Sequence, residues 1–145
     1  MRHEQILLPM LGMIVLTAVV WFVMYARRIP AMQRARKPAQ VYTTPDKVIE
    51  TLPEEINYPA YNLKNLFELP VLFYALCLYF YVTATAGSAE VIAAWAFLLF
   101  RIVHSAIHCT ANIVMARFIT YCAAALALWF MLGRAVWGVY QTAMV

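Results

Sequence analysis

The sequence is poor in charge. Charged residues make up 12% of its 145 residues, against 65% hydrophobic. A soluble domain carries roughly a quarter of its residues as Asp, Glu, Lys or Arg, so an aqueous globular fold is excluded and lipid is the expected solvent. A C-x-x-C pair is also lacking. The three cysteines, Cys77, Cys109 and Cys122, stand singly in or beside apolar runs and read as reduced packing residues. No Cys/His pair has the spacing of a zinc site, so no metal is expected. The formal charge of +4 is no nucleic-acid signal, because most of the cations fall in one stretch after the first apolar run. There is no internal repeat and no low-complexity tract. A secretory signal is not expected either: the first apolar run exceeds an h-region of roughly 7–15 residues, and Arg27 and Arg28 follow it rather than precede it.

What is present is four apolar runs, at about residues 6–26, 66–86, 90–110 and 118–139. Each approaches the roughly 20 residues that cross a bilayer as a helix, and lipid permits no other single-chain solution for runs of this length. The expected fold is all-α, an integral membrane four-helix bundle forming one domain over 1–145. Residues 27–64 read as an aqueous cytoplasmic loop. Pro30, Pro38, Pro45, Pro53 and Pro59 punctuate it and exclude a long regular helix, leaving room for one short surface helix over Asp46–Glu55. Gly87-Ser88 forms the hinge between the second and third runs. The basic residues set an orientation. The loop with Arg27, Arg28, Arg34, Arg36, Lys37 and Lys47, and the turn with Arg117, are expected inside. Arg2, the Gly87-Ser88 turn and the tail after Arg134 are expected outside, so both termini face the periplasm or lumen. Trp21, Trp137 and Tyr140 sit where interfacial aromatics gather. Short loops and no retrieval signal favour a bacterial inner membrane over endoplasmic reticulum.

Ionisable residues within spans are the informative ones. On the third run Arg101, His104, His108 and Asn112 step by three, four and four, which stacks them on one helix face. Asn65 and Glu68 open the second span; Arg117 and Tyr121 open the fourth. All lie toward the same side of the membrane. A Glu68–Arg101 ion pair locking the bundle is the plain structural expectation, and Arg117 also reads as a positive-inside anchor. The His pair has a spacing compatible with haem or metal, but no facing carboxylate or further His completes such a site. Together the cluster points to a polar, anionic ligand. Arg117 beside a helix N-terminus favours a carboxylate, phosphate or thiolate.

The stretch Asn65-Leu66-Phe67-Glu68-Leu69-Pro70-Val71-Leu72-Phe73-Tyr74, the Arg101-x-x-His104 motif and the run Arg117–Tyr121 resemble the MAPEG family, the membrane-associated proteins in eicosanoid and glutathione metabolism. The resemblance covers all four spans. It implies a homotrimer that binds glutathione as co-substrate between subunits at the cytoplasmic side, with a lipophilic small molecule as second substrate. By the same resemblance Asn65, Glu68, His104 and Tyr121 contact glutathione, Arg101 supports the site, and Arg117 stabilises the thiolate. His108 stands where some members carry tyrosine. Two arginine positions of the family pattern are Tyr58 and Tyr61 here, its alanine position is Asn62, and only Lys64 keeps a positive charge beside Asn65. Two functions follow: a microsomal-type glutathione transferase or peroxidase acting through Arg117, or a non-catalytic membrane binding or structural protein that keeps the fold without glutathione chemistry.

Overall fold

In hydrocarbon a backbone amide finds no water, so the chain must satisfy its own peptide groups. The computed structural model describes residues 3–144 and does this almost wholly with helix. Arg2, assigned to the outer side above, lies outside the described residues. A 3-10 turn, His3–Ile6, leads into α1, Leu7–Ala35. After a second 3-10 turn at Ala39–Tyr42 come α2, Pro45–Thr51, and α3, Glu54–Leu66. Then follow α4, Leu69–Val82, α5, Ser88–Cys109, and α6, Val114–Ala143. Four helical units are long and apolar enough to cross a membrane: His3–Ala35, Glu54–Val82, Ser88–Cys109 and Val114–Ala143. The second is α3 and α4 together, broken at Phe67-Glu68.

Burial runs opposite to that of a soluble protein. Arg101 is 0% exposed, whereas Phe22 is 66% exposed. Leu8, Leu11 and Val15 on α1, Val82 on α4, Ile92 and Leu99 on α5 and Leu126 on α6 also face outward. Apolar exposure on this scale requires lipid. The interior is packed by Met13, Cys77, Leu128 and Met131 around a Phe73–Phe97 stack with ring centroids 4.3 Å apart. The chain is a multi-pass membrane helical bundle, as its composition implied.

The expectation that prolines keep 27–64 free of long helix is corrected. α1 continues through Pro30 to Ala35, and α3 runs through Pro59. Pro59 forfeits one backbone bond, but α3 packs along α1, and Asn57 holds the junction. Its Nδ2 donates to the Ile49 and Pro53 carbonyls, both at 3.4 Å, and its Oδ1 accepts from Arg28 Nη2 at 3.0 Å. The expected surface helix over Asp46–Glu55 is instead split. α2 starts on Pro45 with Thr44 Oγ1 accepting from Lys47 N, and ends because the residue before Pro53 is driven into extended backbone. In the α4–α5 connection the left-handed residue is Ala84, at φ 54°, while Gly87 has an ordinary φ of −95°.

α1 passes close against α5 at Gly12, where an added Cβ would stand 2.6 Å from Leu98 Cδ2. Small residues of this kind set how near two membrane helices approach. Gly12→Ile is expected to push α1 away and cost about 1–3 kcal/mol, read as a lower thermal unfolding midpoint in detergent.

Candidate functional site

The site begins with a backbone fault. Pro70 has no N–H to continue the helix of α3 into α4, and Glu68 takes up a non-helical conformation with φ −99° and ψ −105°. The Asn65 carbonyl, which an unbroken helix would spend on Leu69, instead accepts from Arg101 Nη2 and, at 3.4 Å, from the Glu68 N–H. Arg101 reaches it from mid-α5 and lies with its guanidinium carbon 5.6 Å from the centroid of the Tyr121 ring on α6, a cation–π contact. Its Nε and Nη1 are buried and have no hydrogen-bond partner. The expected Glu68–Arg101 ion pair does not form. Glu68 sits at the break and is exposed, and the ion pair among the described residues is Glu90–Arg134, at the opposite end of the bundle.

One helical turn along α5, His104 Nδ1 donates to the Arg117 carbonyl at 3.0 Å, a carbonyl that also accepts from Thr120 Oγ1. This ties the first turn of α6 to α5. With Nδ1 as donor, His104 Nε2 is left a lone pair, buried and unpartnered. One turn further, His108 Nε2 accepts from Arg117 Nη1 at 2.6 Å. His108 therefore carries its proton on Nδ1, which stands 3.5 Å from Asn65 Nδ2; two donors cannot bond, so the Asn65 amide is assigned with its oxygen in that place, completing a chain Asn65–His108–Arg117. A cleft of about 220 Å3 opens beside this chain, lined by Asn65, His104, Val114, Arg117, Phe118 and Tyr121. His108 is 2% exposed and does not line it. It stands behind Arg117 and fixes that side chain through the Nη1 bond.

Asn65, Arg101, His104, His108, Arg117 and Tyr121 thus come together. Lys64 and Glu68 do not join them; both are exposed on the outer surface of the chain. Asn112 also leaves the expected stripe. α5 ends at Cys109, and Asn112 turns the chain with φ 52° while its N–H bonds the Ile107 carbonyl at 2.8 Å. A second polar layer under the site was missed. Asn62 is fully buried, with Nδ2 3.5 Å from Cys109 Sγ and Oδ1 accepting from Ser105 Oγ at 3.4 Å. Arg27 Nη1 donates to the Cys109 carbonyl at 2.7 Å. The signal was the Asn62–Asn65 spacing of three, legible only once 54–66 is read as helix.

The model of the MAPEG family matches residues 6–137, nearly the whole chain and all four spans. The chain belongs to the MAPEG family. No curated protein and no solved structure matches it. Membership accounts for the helical bundle and its placement in a membrane. The His108–Arg117 bond is a feature of this MAPEG chain's own residues. His108→Phe, which strands Arg117 Nη1, is expected to lower stability by about 1–3 kcal/mol. His108→Gln keeps an acceptor and should cost visibly less in the same thermal melt.

Proposed function

We propose that the chain is a glutathione-dependent transferase or peroxidase of lipophilic electrophiles, working as a homotrimer. One observation carries the reading: the inner cluster holds cationic and donor groups that no carboxylate among the described residues hydrogen-bonds. Arg101 is wholly buried with two unpartnered nitrogens, Arg117 Nε is buried and unpartnered, and among the described residues no carboxylate forms a salt bridge with either. A buried, unpaired cation is costly, so an anionic ligand is what the site lacks. A thiol held beside Arg117 at the first turn of α6 has its thiolate favoured by the guanidinium and the helix dipole. The thiolate sulfur then attacks an electrophilic carbon, forming a C–S bond as the leaving group departs with its electron pair. An apolar cleft of about 450 Å3, lined by residues that include Trp21, Phe22, Phe67 and Tyr74, is a fitting approach for an acceptor dissolved in the bilayer.

The trimer is supported by incompleteness. The inner cleft, about 220 Å3, is smaller than the roughly 300–1,000 Å3 of a usual small-molecule site, and Lys64 and Glu68, which flank its Asn65 in sequence, stand exposed. A neighbouring subunit would enclose the ligand and bring these residues into use. The orientation proposed from the basic residues puts this end on the inner side, with both termini outside. Purified protein is expected to couple glutathione to a chlorodinitrobenzene-type acceptor. Arg117→Ala should reduce kcat/KM about 100-fold, the loss typical of one transition-state donor. Activity unchanged by that substitution would overturn the assignment of Arg117.

The second reading, a MAPEG bundle without glutathione chemistry, is favoured by Tyr58 and Tyr61 at the family's arginine positions. It predicts that glutathione leaves the thermal midpoint unchanged. A ligand-dependent rise is expected if glutathione binds the native state, and differential scanning fluorimetry in detergent separates the two.

A further inference from the structure

A second polar cleft lies at the other end of the bundle, away from the inner cluster. It has a volume of about 400 Å3 and is bounded by the end of α4, the turn into α5, and the last third of α6. Glu90 is 2% exposed at its floor. One carboxylate oxygen accepts from the Gly87 N–H at 2.9 Å, and the other accepts from Arg134 Nε at 2.7 Å. Arg134 is thus gripped by its inner edge while its side chain stays 51% exposed. Its outer edge, Nη1 and Nη2, makes no hydrogen bond among the described residues and is left to the cleft. Thr83 Oγ1 donates to the Tyr79 carbonyl at 2.7 Å, so the 2.7 Å contact between Thr83 and Thr85 spends the Thr85 proton, which a ligand can draw away.

The level of this cleft in the membrane follows from helix rise. From His108 back to Glu90 along α5 is about 27 Å, and from Arg117 to Arg134 along α6 about 25 Å, at roughly 1.5 Å per residue. Both values approach the roughly 30 Å thickness of the hydrocarbon core. With the inner cluster at one edge of the hydrocarbon, Glu90 and Arg134 stand at the other. The exposed Trp137–Tyr140 stack, centroids 5.9 Å apart, flanks them as interfacial aromatics do. Lipid phosphates lie a few ångströms beyond this level, within reach of an arginine side chain extended toward the interface.

We infer that the Glu90–Arg134 cleft is a binding site for the phosphate of a membrane phospholipid in the leaflet opposite the inner cluster. A guanidinium held by Nε presents two parallel N–H groups, the fork that matches two oxygens of a phosphodiester. Glu90 cancels the net charge of the pair, so recognition comes from directed hydrogen bonds and not from a long-range field. Zwitterionic and anionic phospholipids are therefore both accepted, and binding depends only weakly on salt.

The test uses delipidated full-length protein in detergent and reads the thermal midpoint. Phosphatidylcholine and phosphatidylglycerol are each expected to raise it by about 3 °C or more. Diacylglycerol with the same chains, which lacks the phosphate, should not. Arg134→Lys keeps a cation for Glu90 but loses the fork, and should reduce the rise to less than half. The paired substitution Glu90→Gln with Arg134→Gln leaves no buried charge unpaired and should abolish it. An equal rise with diacylglycerol, no rise with either phospholipid, or a full rise retained by Arg134→Lys would overturn the proposal. A rise with inorganic phosphate alone would assign the site to a soluble phosphate and overturn the lipid.

Discussion

Arg101 is the residue on which the inner half of the bundle depends. A guanidinium with no exposure to solvent must be given oxygens or π faces from inside the protein, and three helices are arranged around that demand. The break between α3 and α4 gives up the Asn65 carbonyl, α6 brings the Tyr121 ring, and α5 carries the cation itself. Once these are in place, His104 and His108 follow on the same face of α5 and reach the first turn of α6. The arrangement satisfies Arg101 only in part, and that incompleteness is what gives the cleft its preference for an anion.

The spans and the inward face of α5 were legible in the sequence. Apolar length is a strong signal in lipid, and a polar residue recurring every three or four positions has one geometric meaning. Tertiary satisfaction was less legible. Glu68 and Arg101 have opposite charge at matching depth, so pairing them is natural from sequence. The proline two residues after Glu68 overrides this by breaking the helix and turning the carboxylate outward. The proline-rich stretch misled in the opposite sense. Pro59 taken alone argues against α3, but the helix forms with Asn57, Asn62 and the α1 surface holding it in place. Asn112 kept the spacing of the stripe, yet α5 had already ended at Cys109.

The same layering explains how the two halves of the site differ. Asn65, His104, His108 and Arg117 are fixed by bonds within one chain, whereas Lys64 and Glu68 are placed by the backbone and held by nothing beside it. The rigid part can position a reacting group. The loose part has the character of a contact surface, which accords with the proposed sharing of the ligand between subunits. Cys109 links these parts to α1, because its carbonyl is taken by Arg27 and its sulfur faces Asn62.

The two polar layers also act as a ruler. Both are tied across helices, the inner one at its edge by His108 with Arg117 and the outer one by Glu90 with Arg134, and the distance between them is about 25–27 Å. Neither can slide into hydrocarbon without stranding ionised groups. In a bilayer thicker than this gap the protein cannot lengthen, so the lipid around it must thin or the bundle must tilt. Membrane thickness would then load the bonds of both layers at once, and bilayers near that thickness would be the ones in which the bundle rests unstrained.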